Sequence, residues 1–365
     1  MKNIRKFAAG VISCLLTFTF LKSSQFPDVN DSLSFYDKLN KGMPIRYVII
    51  GDSIGRGSGA EKSSLKWYRQ LERQWKKKYG SDASGKFIVQ SGATSFEGLY
   101  KMDSQPIDST VDAIFIVFGE NDRKYMKAHD FSLLYESLIR RSLSIFPGAE
   151  IFTFTESCLS NPEFADVIEE ISNHYNATNI DMRIPFQKSG LPISKVTTDL
   201  IHPNGLGYSL YADEIMNKLK KNIDDDKRPA SLTVPLFQNT DMSFDVLADF
   251  TEQQGFELQN NYLVSSKKGS YVEFSFYGSV LGLKLLRSPD GGVVNVIIDG
   301  EYYTSLSTWW PFERERYLYI SNGLSNDLHT VRFEVTGEKS ERNISNESVI
   351  RLSSIILRKN IDETQ

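Results

Sequence analysis

Two short stretches of this chain carry residues that could do chemistry together. Gly51-Asp52-Ser53 places a serine at the end of an apolar run, and Asp199-Leu200-Ile201-His202-Pro203 places a carboxylate and an imidazole three residues apart. A serine hydroxyl is a weak nucleophile until an adjacent base takes its proton. His202 is the candidate base, and Asp199 would fix the ring's tautomer and stabilise the imidazolium. The i, i+3 spacing lets acid and imidazole approach from one turn. Serine, histidine and aspartate are the parts of an acyl-transfer site. About 150 residues separate the two stretches, so only a fold can unite them.

The pattern between them is that of a parallel sheet. Short apolar runs predict strands over 45–50, 87–90, 113–118, 151–155 and 179–182, and near-helical apolar spacing predicts helices over 64–79, 131–146, 161–175 and 205–220. Strands alternating with helices imply a sheet buried on both faces. In such sheets the ligand crevice lies at the carboxyl ends of the strands. Ser53 follows the first strand, Gly92 the second and Asn121 the third, so all three are expected on one edge.

At 365 residues the chain is long for one domain, since domains run roughly 100–200 residues. The stretch 223–233 is charged and contains a proline, and is expected to be a linker. Beyond it the texture changes. Runs over 271–277, 293–298, 316–320, 329–335 and 349–357 read as strands separated by turn signals, which predicts an all-β sandwich over 234–360.

The remaining composition narrows the chemistry. The net charge is −4, without the basic stripe that a nucleic-acid partner requires. Two cysteines, Cys14 and Cys158, make no disulfide framework. Four scattered histidines and no Cys/His cluster at zinc spacing give no metal site. No metal and no cofactor are expected. At the N-terminus, Lys2, Arg5 and Lys6 precede an uncharged run from Phe7 to Leu21. Residues 1–24 therefore read as an export signal or a membrane tether, and the chain as exported, secreted or held at the cell surface.

At this point the chain resembles the SGNH hydrolases, also called the GDSL family. Gly51-Asp52-Ser53, with Gly55 and Gly57 behind it, is similar to the family's first block, and Ser91-Gly92-Ala93-Thr94 to its second. Gly119-Glu120-Asn121-Asp122 resembles the third, Gly-x-Asn-Asp, and Asp199 to Tyr208 resembles the last. The resemblance covers about residues 45–222. It implies a flavodoxin-like three-layer α/β/α fold, and an oxyanion hole made by the Ser53 N–H, the Gly92 N–H and the Asn121 side chain. Fixed donors aimed where charge develops stabilise the transition state, each worth on the order of 100- to 1,000-fold in rate. Asp52 and Asp122 are expected to shape their loops.

The second domain resembles jelly-roll-like sandwich modules attached to carbohydrate-active proteins, through Val293 to Gly300 and Leu328 to Val335. Trp309, Trp310, Tyr302, Tyr303 and Tyr317 could form a sugar-stacking face, or pack in the core or between domains. The combined expectation is an exported serine esterase that removes acetyl or other small acyl groups from a glycan. An O-acetyltransferase of cell-envelope polysaccharide would need no new catalytic residue. A lipid-directed esterase or lysophospholipase would need a long apolar groove, and no obvious apolar insertion lies between the blocks.

Overall fold

The computed structural model describes residues 33–105 and 110–359. The expected N-terminal signal lies outside the described residues. Within them no helix is long and apolar enough to cross a membrane.

The chain enters through α1 (Phe35–Asn40), which Ser34 caps reciprocally with Asp37. Five parallel strands follow, interleaved with helices: β1 (Ile45–Gly51), α2 (Trp67–Tyr79), β2 (Ala83–Val89), α3 (Ser95–Ser104), β3 (Ala113–Val117), α4 (Ala128–Ile145), β4 (Glu150–Thr155), α5 (Pro162–His174) and β5 (Thr178–Asp181). Two short helices, α6 (Arg183–Lys188) and α7 (Ile193–Val196), lead to α8 (Gly205–Asp224). The strand order is β2-β1-β3-β4-β5, so the sheet winds outward in both directions from β1.

Both faces of this sheet are buried, which is why its central strands read as largely apolar runs. Alternation along β1 sends Val48 and Ile50 into one core and Tyr47 and Ile49 into the other. The first core holds Phe96, Phe118, Phe131 and Leu138; the second holds Trp67, Trp75, Phe115 and Phe152. β2 begins four residues before its apolar run, because it is an edge strand with several exposed side chains. Gly85 within it makes room for the Tyr47 ring, which a Cβ would meet at 2.4 Å.

After α8 the chain is strapped to the parallel layer. Lys227 Nζ lies 2.9 Å from Glu150 Oε1, and Arg140 donates to the Thr233 carbonyl and to Asp241. Eleven strands then form two antiparallel sheets: β6 (Phe244–Leu247), β7 (Glu252–Gln254), β8 (Glu257–Gln259), β9 (Tyr262–Ser265), β10 (Tyr271–Tyr277), β11 (Leu281–Arg287), β12 (Gly292–Ile298), β13 (Glu301–Ser307), β14 (Arg314–Ser321), β15 (Leu328–Lys339) and β16 (Ile350–Arg358). One sheet runs β13-β12-β15-β10-β7; the other runs β14-β11-β16-β9-β8, with β6 added to β16. Phe274, Val296 and Phe333 of the first share a core with Leu283, Leu285 and Leu352 of the second. The alternating burial of β10 and β12 is that of a sandwich.

The β14 sheet packs on α3. Phe96 meets Tyr319 and Phe244 edge-on at 6.0 and 5.1 Å, and Tyr100 lies 4.4 Å from Tyr317. Gly282 is needed here, since a Cβ would stand 2.3 Å from the Phe96 ring. α3 opens directly after the Gly92 loop, so this seam reaches the candidate site.

Candidate active site

Parallel register places three loops side by side. Gly51, the last residue of β1, pairs with Val89 of β2 and Val117 of β3. The loops leaving those strands carry Ser53, Gly92 and Asn121, and they stay joined past the strand ends. Asp52 N–H donates to the Val117 carbonyl at 3.2 Å, and Gln90 N–H to the Gly51 carbonyl at 3.1 Å. The crossing is tight at Gly51, where a Cβ would lie 3.0 Å from both Cβ and O of Val117.

The serine, histidine and aspartate form a continuous relay. His202 Nε2 is 2.9 Å from Ser53 Oγ, and His202 Nδ1 is 2.7 Å from Asp199 Oδ2. With Asp199 ionised, Nδ1 carries the proton and Nε2 is left to accept the serine's. Asp199 also accepts the backbone N–H groups of His202 and Ile201 at 2.8 and 3.2 Å through Oδ1. Burial alone would raise this carboxyl, but these bonds and the His202 ring hold it below the ordinary aspartate value.

The acid–base turn is itself positioned from both sides. Leu200 between the two residues has φ +68°, a conformation that costs a non-glycine residue energy and persists only where its surroundings enforce it. Thr198 N–H donates to the His202 carbonyl, and Thr198 Oγ1 to the Gly59 carbonyl. Asn204 caps α8 through the N–H groups of Leu206 and Gly207. Tyr208 of that helix donates to the Ser58 carbonyl at 2.7 Å. The loop behind Ser53 and the loop bearing His202 are thus laced together.

Gly92 stands at φ +72°, in a turn closed by Ala93 N–H on the Gln90 carbonyl. Asn121 opens a 3₁₀ turn over Asp122–Lys124. Its Nδ2 donates to Asp52 Oδ2 at 2.6 Å. Asp52 also accepts from Ile54 N–H at 2.7 Å. Asp122 accepts from the Ser95 N–H and hydroxyl and from Gly119 N–H, at 2.7, 2.6 and 3.2 Å. The two aspartates of the motifs are therefore loop organisers: one joins the Ser53 loop to Asn121, the other joins the Asn121 turn to the start of α3.

Sequence reasoning missed what lies beneath and beside these loops. Glu156, after β4, is fully buried, and its Oε2 accepts Glu120 N–H at 2.8 Å. Burial, with the Asp52 charge beside it, pushes its carboxyl well above the usual range. Burial likewise pushes Asp52 up to about 7 and Asp122 up to about 6. The second omission is Arg316 on β14, which donates to the Gly92 carbonyl. Trp310, named from the sequence as a sugar-stacking or packing aromatic, lies in the loop before β14 beside Gly92, where a Cβ would lie 3.6 Å from the indole. Neither contact has a local signal, because each depends on how the antiparallel layer sits on α3. Of the other aromatics, Tyr317 is taken up by the seam, whereas Tyr302 and Tyr303 are exposed on β13. No group of three or more His, Cys, Asp or Glu side chains that could hold a metal ion occurs among the described residues.

Residues 49–210 match the GDSL-like Lipase/Acylhydrolase family. This stretch is a GDSL-like lipase/acylhydrolase domain. It is thereby a serine carboxylic-ester hydrolase by type, and the Ser53–His202–Asp199 relay lies inside the matched stretch. No curated protein matches the sequence. Among solved structures, this chain is similar to a two-domain esterase (CEX) active on acetylated mannans, co-crystallised with mannopentaose. The match has 21% identity and TM-score 0.69, covering 89% of this chain and 93% of that one. A second structure of a two-domain esterase (CEX) active on acetylated mannans matches at 21% identity and TM-score 0.68, covering 89% and 94%. At this identity the likeness is one of fold, and it spans both layers. Axe2, an acetylxylan esterase from Geobacillus stearothermophilus, aligns with 49% of this chain and 96% of its own at 17% identity and TM-score 0.42.

Proposed function

We propose that this protein is an exported carbohydrate esterase that removes acetyl or other small acyl groups from a glycan through an acyl-enzyme on Ser53. The observation that carries the chemistry is the relay from Ser53 Oγ through His202 to Asp199, with links of 2.9 and 2.7 Å. In the reading, Ser53 Oγ attacks the ester carbonyl while His202 Nε2 takes its proton. The oxyanion is met by the N–H groups of Ser53 and Gly92 and by the Asn121 amide. The tetrahedral intermediate collapses, the C–O bond to the sugar breaks, and His202 protonates the leaving hydroxyl. Water, deprotonated by His202, then releases the acid and restores Ser53.

The glycan half of the reading is supported by the shared two-layer fold and by the Trp310 ring packed beside Gly92, since an aromatic face at a binding site suits a sugar ring. Export is proposed from the charged and apolar pattern of residues 1–24. The test is hydrolysis of 4-nitrophenyl esters of increasing chain length, together with acetylated manno- and xylo-oligosaccharides, with Ser53→Ala as control. Acetate release from the oligosaccharides, lost in the control, supports the reading. Preference for long acyl chains overturns the small-acyl assignment. Acetyl transfer to added glycan in place of acetate release makes the protein a transferase.

A further inference from the structure

We infer that Arg316, on the antiparallel layer, is a positioning residue for the Gly92 backbone donor, so that the C-terminal sandwich is a working part of the acyl-transfer site. The inference rests on the proposed role of Gly92 in the oxyanion hole.

Arg316 and Arg314 are two residues apart on β14, so their side chains leave the same face of the strand. Together they hold the 90–97 segment at three points. Arg314 Nε donates to Gln90 Oε1 at 2.8 Å, before the turn. Arg316 Nη2 donates to the Gly92 carbonyl at 2.9 Å, at the turn itself. The same guanidinium contacts Glu97 on α3, with Nη2 2.9 Å from Oε2. Glu97 is further paired with Lys101 Nζ at 2.8 Å.

The Gly92 turn needs such a hold. A glycine at positive φ has wide conformational freedom, and its N–H and C=O belong to successive peptide units hinged at one Cα. Fixing the carbonyl limits ψ, and together with the Ala93 N–H bond to Gln90 it limits where the preceding N–H points. The Trp310 ring lies on the same side of Gly92, with the Arg316 guanidinium 5.2 Å from its centroid. The guanidinium also lines a cavity of about 20 Å³ with Gly92, Thr94 and Tyr125, room for about one water.

Stability alone does not account for this arrangement. Arg316 and Glu97 are each 1% exposed, and a buried ion pair is often no more stabilising than apolar side chains of the same volume. An apolar pair could seal the seam, but it could not grip a carbonyl. A planar fork can hold the carbonyl and the carboxylate at once.

The experiment uses the full chain with Arg316→Met and Arg316→Lys, assayed on 4-nitrophenyl acetate, which has no sugar to contact. Melting temperatures are measured in parallel. We expect kcat to fall about 10- to 100-fold in R316M, since the donor is misaligned and not removed, with KM little changed. R316K, which keeps one donor contact, recovers part of the loss. The rate of Ser53 labelling by a phosphonate falls with kcat. The inference is overturned if either folded variant keeps wild-type kcat, if the loss lies in KM, or if kcat tracks melting temperature alone. If R316M does not fold, R316K decides through kcat at an unchanged melting temperature. Should Ser53→Ala or Asn121→Ala retain full activity, the acyl-transfer reading fails instead, whatever Arg316 does.

Discussion

Replacing Asn121 by alanine separates two consequences of a single amide. An asparagine amide carries two N–H groups. One of them is committed to Asp52 Oδ2 at 2.6 Å, which leaves the other for an oxyanion. Loss of one such donor costs about 100- to 1,000-fold in kcat, or about 3–4 kcal/mol of transition-state stabilisation. Because the interaction is made only in the transition state, kcat and kcat/KM should fall together. The same substitution strips a donor from a carboxyl that is 1% exposed, an unpaired buried acceptor costing about 1–3 kcal/mol of stability. The pH dependence of that second loss has a defined sign. Asp52 already titrates near 7 because it is buried, and removing the amide raises it further. The extra instability of the variant should therefore grow as pH rises through neutrality and be smallest in acid, where Asp52 is protonated in both proteins. Steady-state kinetics on 4-nitrophenyl acetate and thermal melts across the same pH range read both effects. A kcat within about threefold of wild type, or a loss confined to KM, would refute the assignment of Asn121.

Three further outcomes are expected. Asp199→Asn should lower kcat by roughly 100-fold or more by favouring the wrong imidazole tautomer, yet less than the ~10,000-fold of a fully buried acid, because the Asp199 side chain is 52% exposed; an unchanged kcat would remove Asp199 from the relay. Asp122 titrates near 6 in the folded protein against an ordinary value of 3.8, so its contribution to stability is present below about pH 4 and lost as pH rises through 6; melts of Asp122→Asn should show a flatter pH dependence across that window, and superimposable curves would contradict it. Gly282→Ala should destabilise the seam by about 1–3 kcal/mol through overpacking, since its Cβ would stand 2.3 Å from the Phe96 ring; a urea midpoint equal to wild type would show that Phe96 yields freely.

What was legible in the sequence follows from where the physics is local. β3 and β4 are buried along their length and β1 everywhere but at Arg46, so they appear as largely apolar runs. α3 has no such signature: Gly98 interrupts it, because a Cβ there would stand 2.5 Å from the Phe118 ring. β7 and β8 are short and exposed, and escape a reading based on alternation. In the candidate site, Ser53, Gly92, Asn121, Asp199 and His202 stand in motifs whose spacing could be matched. The roles of Asp52 and Asp122 emerge only as hydrogen bonds between loops. Glu156 and Arg316 have no motif: Glu156 meets the site through a buried contact between loops of the parallel layer, and Arg316 through the packing of the antiparallel layer on α3.

The central claim is that Ser53 is the nucleophile of the Ser53–His202–Asp199 relay. Intact-mass and peptide mapping after reaction with a serine-directed phosphonate tests it most directly. A single adduct on Ser53, absent from Ser53→Ala together with all ester turnover, is the predicted result. An adduct on another residue, or undiminished turnover in the variant, would contradict it.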